Sequence, residues 1–149
     1  MKIERQKQIL IIEDDTLSRI TQKCMIGTFS DMNVCAEFDN AEDGIEFLHQ
    51  NISNIDLVLM DATLPKMNGV EASKVIKNKY PFIKIVILVP YNSDKQVIST
   101  LFANADSYYI RDLGQDMLYD VLTQTLADNG SIDKRIQFSV FNYIKRLPE

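Results

Sequence analysis

Residues 56–72 read DLVLMDATLPKMNGVEA, and this stretch decides which fold the chain can adopt. Residues 55–61 form a strand-length segment whose continuous apolar part, residues 57–60, is followed by the carboxylate of Asp61, which is typical of a strand buried on both faces of a sheet. The following loop contains Pro65 and the pair Asn68-Gly69, which indicate a tight, defined connection. Helical spacing of apolar residues then resumes over residues 70–80. The stretch therefore predicts a strand, a loop and a helix in succession.

The same pattern of strand and helix repeats on both sides of this unit. Apolar runs predict strands at residues 8–13, 33–38, 55–61, 83–89 and 107–110, with helices at 16–28, 41–50, 70–80, 93–104 and 115–127. This alternation predicts the α/β class, with a parallel sheet covered on both faces. The first, third and fourth strands are the most apolar and are expected at the centre. A doubly wound five-stranded parallel sheet in the order 2-1-3-4-5, as in flavodoxin-like folds, satisfies these conditions.

Residues 129–149 exceed what this five-unit fold needs. The pair Asn129-Gly130 predicts the C-cap of the fifth helix. An additional C-terminal helix is predicted over residues 131–147, because apolar side chains recur there every four residues. We therefore divide the chain into a domain at 1–128 and a helix and linker region at 129–149. The extra helix could pack on the domain, form a dimer contact or lead toward a further domain. Its apolar stripe consists of Ile132, Ile136, Val140, Phe141, Ile144 and Leu147.

Composition and charge exclude several classes of protein. With 46% hydrophobic and 25% charged residues, the 149-residue chain is suited to one folded domain. Its net charge of −5 disfavours direct binding to nucleic acid or to an anionic membrane. No apolar segment is long enough for a signal peptide or a membrane span, so the expected location is the cytoplasm. Cys24 and Cys35 are expected to be ordinary reduced thiols.

Acidic residues end two of the predicted central strands. Glu13, Asp14 and Asp15 follow the first strand, and Asp61 ends the third. Parallel strands end at the same edge of a sheet and lie about 4.8 Å apart, so these side chains are expected to meet. Clustered carboxylates repel unless a cation compensates them, and Mg²⁺ prefers such oxygen ligands. Asp15 directly precedes a helix and is expected to cap it instead.

The motifs ILIIEDD, at residues 9–15, and DLVLMDATLPKMNGVEA together resemble the CheY-like receiver domain of two-component response regulators. The resemblance covers about residues 8–128 and is closest to receivers of LuxR/NarL-type regulators. It implies that Asp61 accepts a phosphoryl group from a sensor histidine kinase. It also implies that Glu13, Asp14, Asp61 and the backbone carbonyl of Thr63 hold Mg²⁺. Such a domain signals through altered protein contacts and is not a metabolic enzyme, although it can catalyse its own phosphoryl transfer and dephosphorylation.

The chain departs from the family pattern at the ends of the fourth and fifth strands. In IVILVPYNSD, residues 85–94, Val89 occupies the position of the family's hydroxyl residue. Arg111 replaces the family's lysine, and a planar guanidinium is not equivalent to a compact ammonium. Tyr108 occupies the position of an aromatic switch residue, or it is a half-buried tyrosine of an edge strand. These switch and phosphate-contact positions are therefore expected to be altered.

Several alternatives remain open at this stage. The main one is an atypical pseudo-receiver, which uses the same fold for interaction or dimerisation without phosphorylation. A haloacid dehalogenase-type phosphatase is disfavoured because Thr63 stands where its second aspartate is needed. A flavodoxin is disfavoured because the acids after the first strand would repel a flavin phosphate. A homodimer is left open, and a helix-turn-helix output domain would follow if the chain is part of a longer regulator.

Overall fold

One parallel sheet in the order β2-β1-β3-β4-β5 forms the centre of the computed structural model, which describes residues 5–148. The predicted class and strand order are therefore confirmed. The central strands β1, β3 and β4 were predicted from their continuous apolar character, and nearly all of their residues are buried. The strands are β1 Lys7–Ile12, β2 Met32–Phe38, β3 Leu57–Asp61, β4 Lys84–Val89 and β5 Ser107–Ile110.

Six α-helices in residues 5–148 pack around the sheet, and side-chain caps explain where several of them begin. Asp15 accepts a hydrogen bond from the Ser18 backbone N–H at 2.8 Å, so its predicted capping role is confirmed. Ser93 caps α4 in the same way, and a 3₁₀ turn at Leu101–Ala103 completes the segment predicted as one helix. The helices are α1 Thr16–Gly27, α2 Ala41–Gln50, α3 Gly69–Lys79, α4 Asp94–Thr100, α5 Gln115–Leu126 and α6 Lys134–Lys145.

Two hydrophobic clusters lie on opposite faces of the sheet, because successive strand residues point to opposite sides. On β1, Leu10 and Ile12 join the cluster under α2 and α3. Ile9 and Ile11 join the cluster under α1 and α5. Burial on both faces explains why the central strands are apolar without interruption.

The end of α5 differs from the prediction. The residue that takes the left-handed conformation is Asp128, with φ of 66°, so Asn129-Gly130 is not the helix cap that was expected. Gly130 is needed for a different reason. A Cβ atom at this position would lie 2.0 Å from the backbone carbonyl oxygen of Asp106, which precedes β5. The glycine therefore lets the chain pass close to the sheet before α6.

The segment after Gly130 continues along β5 before α6 begins. The Tyr108 N–H donates to the Ser131 carbonyl at 3.0 Å, and the Asp133 N–H donates to the Tyr108 carbonyl at 2.8 Å. Residues 131–133 thus pair with the edge of β5 and are not helical, which corrects the predicted start of the sixth helix. At residues 131–133, pairing with β5 prevails over helix formation, because an unpaired strand edge leaves backbone groups without partners.

Helix α6 packs against α4 and β5, but most of its predicted apolar stripe is exposed. Ile136 is fully buried and Val140 is half-buried. Phe141, Ile144 and Leu147 are each more than half exposed. The stripe predicted the helix correctly, but it does not identify the buried face. None of the helices in residues 5–148 has the length and apolar character that crossing a bilayer requires.

Candidate functional site

Glu13, Asp14 and Asp61 meet at the carboxyl end of the sheet. Ile12 pairs with Met60 in the parallel register, so the residues that follow these two positions emerge side by side. One carboxylate oxygen from each of the three acids lies within 4.8 Å of the others. Glu13 and Asp61 are buried, whereas Asp14 is exposed. The site is therefore a deep pair of acids with a third acid at its mouth.

Glu13 is held by hydrogen bonds from α1 and its N-terminal loop. The Asp15 N–H donates to Glu13 Oε2 at 3.2 Å, and Gln22 Nε2 donates to Oε1 at 3.3 Å. The Arg19 guanidinium donates to the Glu13 carbonyl at 2.7 Å. Burial and, next, the nearby Asp61 carboxylate raise the pKa of Glu13 to about 7. Repulsion between the two acids thus remains a feature of the site even with these donors.

Sequence reasoning missed Gln22, although the sequence contains a signal for it. Gln22 is buried and lies one helical turn before Ile26, which is also buried, so it occupies a core-facing position of α1. A polar residue at such a position needs a polar partner. Here that partner is Glu13.

Arg111 follows β5 and reaches across the sheet edge to Asp61. Its guanidinium forms an ion pair with Asp61 Oδ2, and Nη2 also lies 3.2 Å from the hydroxyl oxygen of Thr63. The Thr63 backbone N–H donates to Asp61 Oδ1 at 3.3 Å. One guanidinium thus faces three carboxyl groups. A cluster with this excess of oxygen ligands and negative charge fits a hard divalent cation such as Mg²⁺.

The loop between β3 and α3 brings the start of the helix against the Asp61 backbone. Asn68 caps α3 by accepting from the Glu71 N–H at 2.9 Å. A Cβ atom on Gly69 would lie 2.1 Å from the Asp61 carbonyl oxygen, so a larger residue would move this strand end. Lys66 takes a left-handed conformation with φ of 60°, which is uncommon for a residue with a side chain. Asn68 therefore caps helix α3, and Gly69 allows the start of that helix to lie close to the Asp61 backbone.

Val89 and Tyr108 do not join the acid cluster through polar contacts within residues 5–148. Val89 ends β4, is fully buried in the core and carries no hydroxyl. Tyr108 is only 6% exposed, so it is not a half-buried edge residue. Its hydroxyl accepts from the Ala105 N–H at 2.8 Å and donates to the Leu101 carbonyl at 3.2 Å. Val89 therefore packs in the core, and the Tyr108 hydroxyl stabilises the connection before β5.

A cavity of about 530 Å³ opens beside the acids. The loop after β3 forms one wall, with Thr63 and Pro65, and the segment from Pro90 into α4 forms the other. Asp14 lies at its border. Asp61 itself does not line this cavity, although the two residues that follow it, Ala62 and Thr63, do.

Comparisons with known proteins agree with the fold. A family model described as the response regulator receiver domain matches residues 9–123. The chain is 26% identical over 144 residues to the transcriptional regulatory protein DegU of Brevibacillus brevis, covering 97% of this chain and 60% of that protein. It is 28% identical over 142 residues to the response regulator protein VraR of Staphylococcus saprophyticus, covering 95% of this chain and 67% of that protein.

A solved structure extends this similarity to the whole fold. The two-component response regulator of the LuxR family from Aurantimonas has a TM-score of 0.82 at 20% identity, covering 95% of this chain and 99% of that chain. The chain belongs to the response regulator receiver domain family of two-component systems. Its fold is similar to those of a LuxR-family response regulator and of the receiver domain of the response regulator NarL. The chain spans only 60% of DegU and 67% of VraR.

Proposed function

We propose that the chain is a phosphorylatable receiver whose acceptor is Asp61. The observation that carries this proposal is the buried Asp61 carboxylate between Glu13, Asp14 and the guanidinium of Arg111. An Asp61 oxygen attacks the phosphorus of the donor and forms an acyl phosphate. The bond from phosphorus to the donor breaks, and the donor keeps that electron pair. In the family to which the chain belongs, the donor is expected to be a histidine of a sensor kinase.

Glu13, Asp14, Asp61 and the backbone carbonyl of Thr63 would hold Mg²⁺. When bound, the ion offsets the negative charge of the acids and of the transferring group. Arg111 supplies a second positive charge beside Asp61 Oδ2, and Thr63 supplies donors to the same carboxylate. Gln22 and the Asp15 N–H keep Glu13 oriented toward the acceptor. These contacts position the attacking carboxylate and do not depend on a hydroxyl at residue 89.

The output of this chain is proposed to be a change in protein contacts. A homodimer and a following output domain are both compatible with relatives that are longer than this chain. Under this proposal, residues 1–128 are the phosphorylated unit, and 129–149 are an additional helix and linker. That division stays a prediction, because α6 also packs on α4 and β5.

Phosphoryl transfer can be tested with the purified chain, Mg²⁺ and acetyl phosphate. Intact mass spectrometry should detect the mass of one added phosphoryl group, and peptide mapping should place it on Asp61. Asp61→Asn should abolish the gain, and chelation of Mg²⁺ should prevent it. Asp120→Asn is a matched control, because Asp120 is an exposed aspartate on α5. Equal labelling of wild type and Asp61→Asn, or no labelling of either, would contradict the proposal.

A pseudo-receiver is the second candidate, and two observations favour it. Val89 provides no hydroxyl for a phosphoryl oxygen, and Arg111 already occupies one oxygen of the acceptor. A domain of this kind would bind its partner equally well before and after treatment with acetyl phosphate. Sedimentation of wild type and Asp61→Asn under both conditions distinguishes the two functions. A change restricted to phosphorylated wild type supports the switch, whereas identical behaviour supports the pseudo-receiver.

A further inference from the structure

Two consecutive residues after β5 form ionic contacts in different directions. Arg111 pairs with Asp61 in the acid cluster. Asp112 pairs with Arg135 at the start of α6, where the two guanidinium nitrogens lie 2.9 and 2.8 Å from the two carboxylate oxygens. A bidentate pair of this kind constrains both position and orientation. Adjacent residues therefore connect the acceptor with a helix outside the five-unit fold.

The start of α6 is also attached to β5 through a buried carboxylate. Asp133 accepts from the Ile110 N–H at 3.0 Å and from Arg135 Nη2 at 2.9 Å. Burial alone would raise the pKa of Asp133, but the Arg135 side chain and the backbone donors outweigh it and lower that pKa. Ile136, one turn further, is fully buried. The orientation of α6 thus depends on the end of β5, where Arg111 is also attached.

Other side chains near Asp61 do not offer an equivalent connection within residues 5–148. Val89 has no polar group, and the Tyr108 hydroxyl is bound to Leu101 and Ala105. Arg111 is the described side chain that both contacts Asp61 and comes from the strand end next to α6. The Arg111 backbone N–H donates to the Val89 carbonyl at 3.1 Å, so the backbone at this point is attached to β4. The side chains of Arg111 and Asp112 extend from there to Asp61 and to Arg135, respectively.

We propose that Arg111, Asp112 and Arg135 form a coupling that transmits the state of Asp61 to α6. When Asp61 loses its charge or gains a phosphoryl group, Arg111 changes its contact, and the Arg111-Asp112 turn shifts with it. The Asp112–Arg135 contact then loosens, and the start of α6 separates more often from β5 and α4. Asp112 and Arg135 are positioning residues, since neither contacts Asp61. The phosphoryl trigger rests on the function proposed above, but the coupling itself does not.

Hydrogen exchange of the α6 amides in the full chain tests this coupling without any phosphoryl donor. Asp61→Asn keeps the shape of the side chain and removes its charge. It should accelerate exchange at the start of α6 by about fivefold or more, which is the lower end of typical coupling between sites. Asp112→Asn should cause a similar acceleration, and the double variant should exchange no faster than Asp112→Asn alone. Asp112→Glu retains the carboxylate and should preserve the response to Asp61→Asn.

Arg146→Gln is the matched control, because Arg146 pairs with Asp94 at 3.3 Å near the other end of α6. This variant should accelerate exchange near residue 146 and leave the response to Asp61→Asn intact. The coupling is overturned if Asp61→Asn does not change α6 exchange, or if the effects of Asp61→Asn and Asp112→Asn simply add. If acetyl phosphate labels Asp61 while α6 exchange stays constant, the proposed function stands and the coupling fails. If labelling is absent while Asp61→Asn still accelerates exchange in α6, the coupling stands and the proposed function fails.

Discussion

Arg111 gives the site a built-in positive charge with a fixed planar shape. One nitrogen of its guanidinium, Nη2, contacts both Asp61 Oδ2 and the Thr63 hydroxyl. The side chain is 34% exposed, whereas Asp61 is buried. Arg111 therefore closes the acid cluster from the solvent side, and a divalent cation would share its electrostatic role.

Replacing Arg111 with alanine should lower the free energy of unfolding in the absence of divalent cations. Removing one partner of a buried pair costs about 3–5 kcal/mol, and partial exposure of Arg111 reduces the expectation to about 1–3 kcal/mol. Mg²⁺ should restore more stability to Arg111→Ala than to wild type, because it neutralises the same acids. Urea unfolding with and without Mg²⁺ measures this difference. Arg146→Ala should show no such dependence, and an equal response of both variants would refute the shared role.

Val89 is a fully buried residue at the end of β4, where the side chain has no hydroxyl. Threonine has nearly the same shape as valine, but its hydroxyl needs a partner when buried. Val89→Thr should therefore destabilise the protein by about 1–3 kcal/mol when no phosphoryl group is bound. With Mg²⁺ and beryllium fluoride, a phosphoryl mimic, the variant should regain stability relative to wild type. Thermal unfolding under both conditions tests this, and Val89→Ile controls for changes in packing alone.

At the scale of elements, the junction between β5 and α6 decides how the extra helix is placed. Residues 131–133 pair with the strand edge, Gly130 passes close to the Asp106 carbonyl, and Asp133 is buried against Ile110. The apolar stripe of α6 contributes one fully buried side chain, Ile136. Polar and backbone contacts therefore orient α6 together with the burial of Ile136.

Asp133→Asn should reduce stability at neutral pH, and the difference from wild type should shrink in acid. The folded pKa of Asp133 lies below its unfolded value, so its charged form contributes stability above a pH of about 4. That contribution is lost as the pH falls through the lower, folded pKa. Urea unfolding of both proteins between about pH 7 and pH 3.5 measures the difference. Asp120→Asn provides an exposed control, and a gap that is constant with pH would count against the buried role of Asp133.

Across the whole molecule, negative charges exceed positive charges, and a bound cation should reduce this excess. The net charge is −5, and the acids at the carboxyl edge of the sheet add a local concentration of it. In contrast, the residues at both ends of α6 include Lys134, Arg135, Lys145 and Arg146. A cation bound among the acids should therefore stabilise the folded state as a whole.

Mg²⁺ should raise the thermal unfolding temperature of the wild type. A ligand that binds only the folded state adds about 2.7 kcal/mol when its concentration is 100 times its dissociation constant. Asp14→Ala should largely remove this effect and still fold, because Asp14 is exposed. Asp43→Ala is a control from an exposed acid on α2. A Mg²⁺ response that survives Asp14→Ala unchanged would place the cation elsewhere.

The sequence by itself determined the α/β class, the strand order and the family. Strand and helix periodicities are local, and continuous apolar runs identify the strands that are buried on both faces. It also indicated where Glu13, Asp14 and Asp61 would meet, because parallel strands end at a common edge. The departures at Val89 and Arg111 were visible as single residues within that pattern.

Only the tertiary structure decided where the side chains beyond those strand ends make their contacts. Arg111 reaches Asp61 across 50 positions of the chain, and Asp112 reaches Arg135 across 23. Gly130 is required by the Asp106 carbonyl, and residues 131–133 pair with β5 although helical spacing runs through them. Each of these outcomes depends on which distant group lies nearby after folding. Local periodicity contains no information about such pairs, because the contacts form between segments that are far apart in sequence.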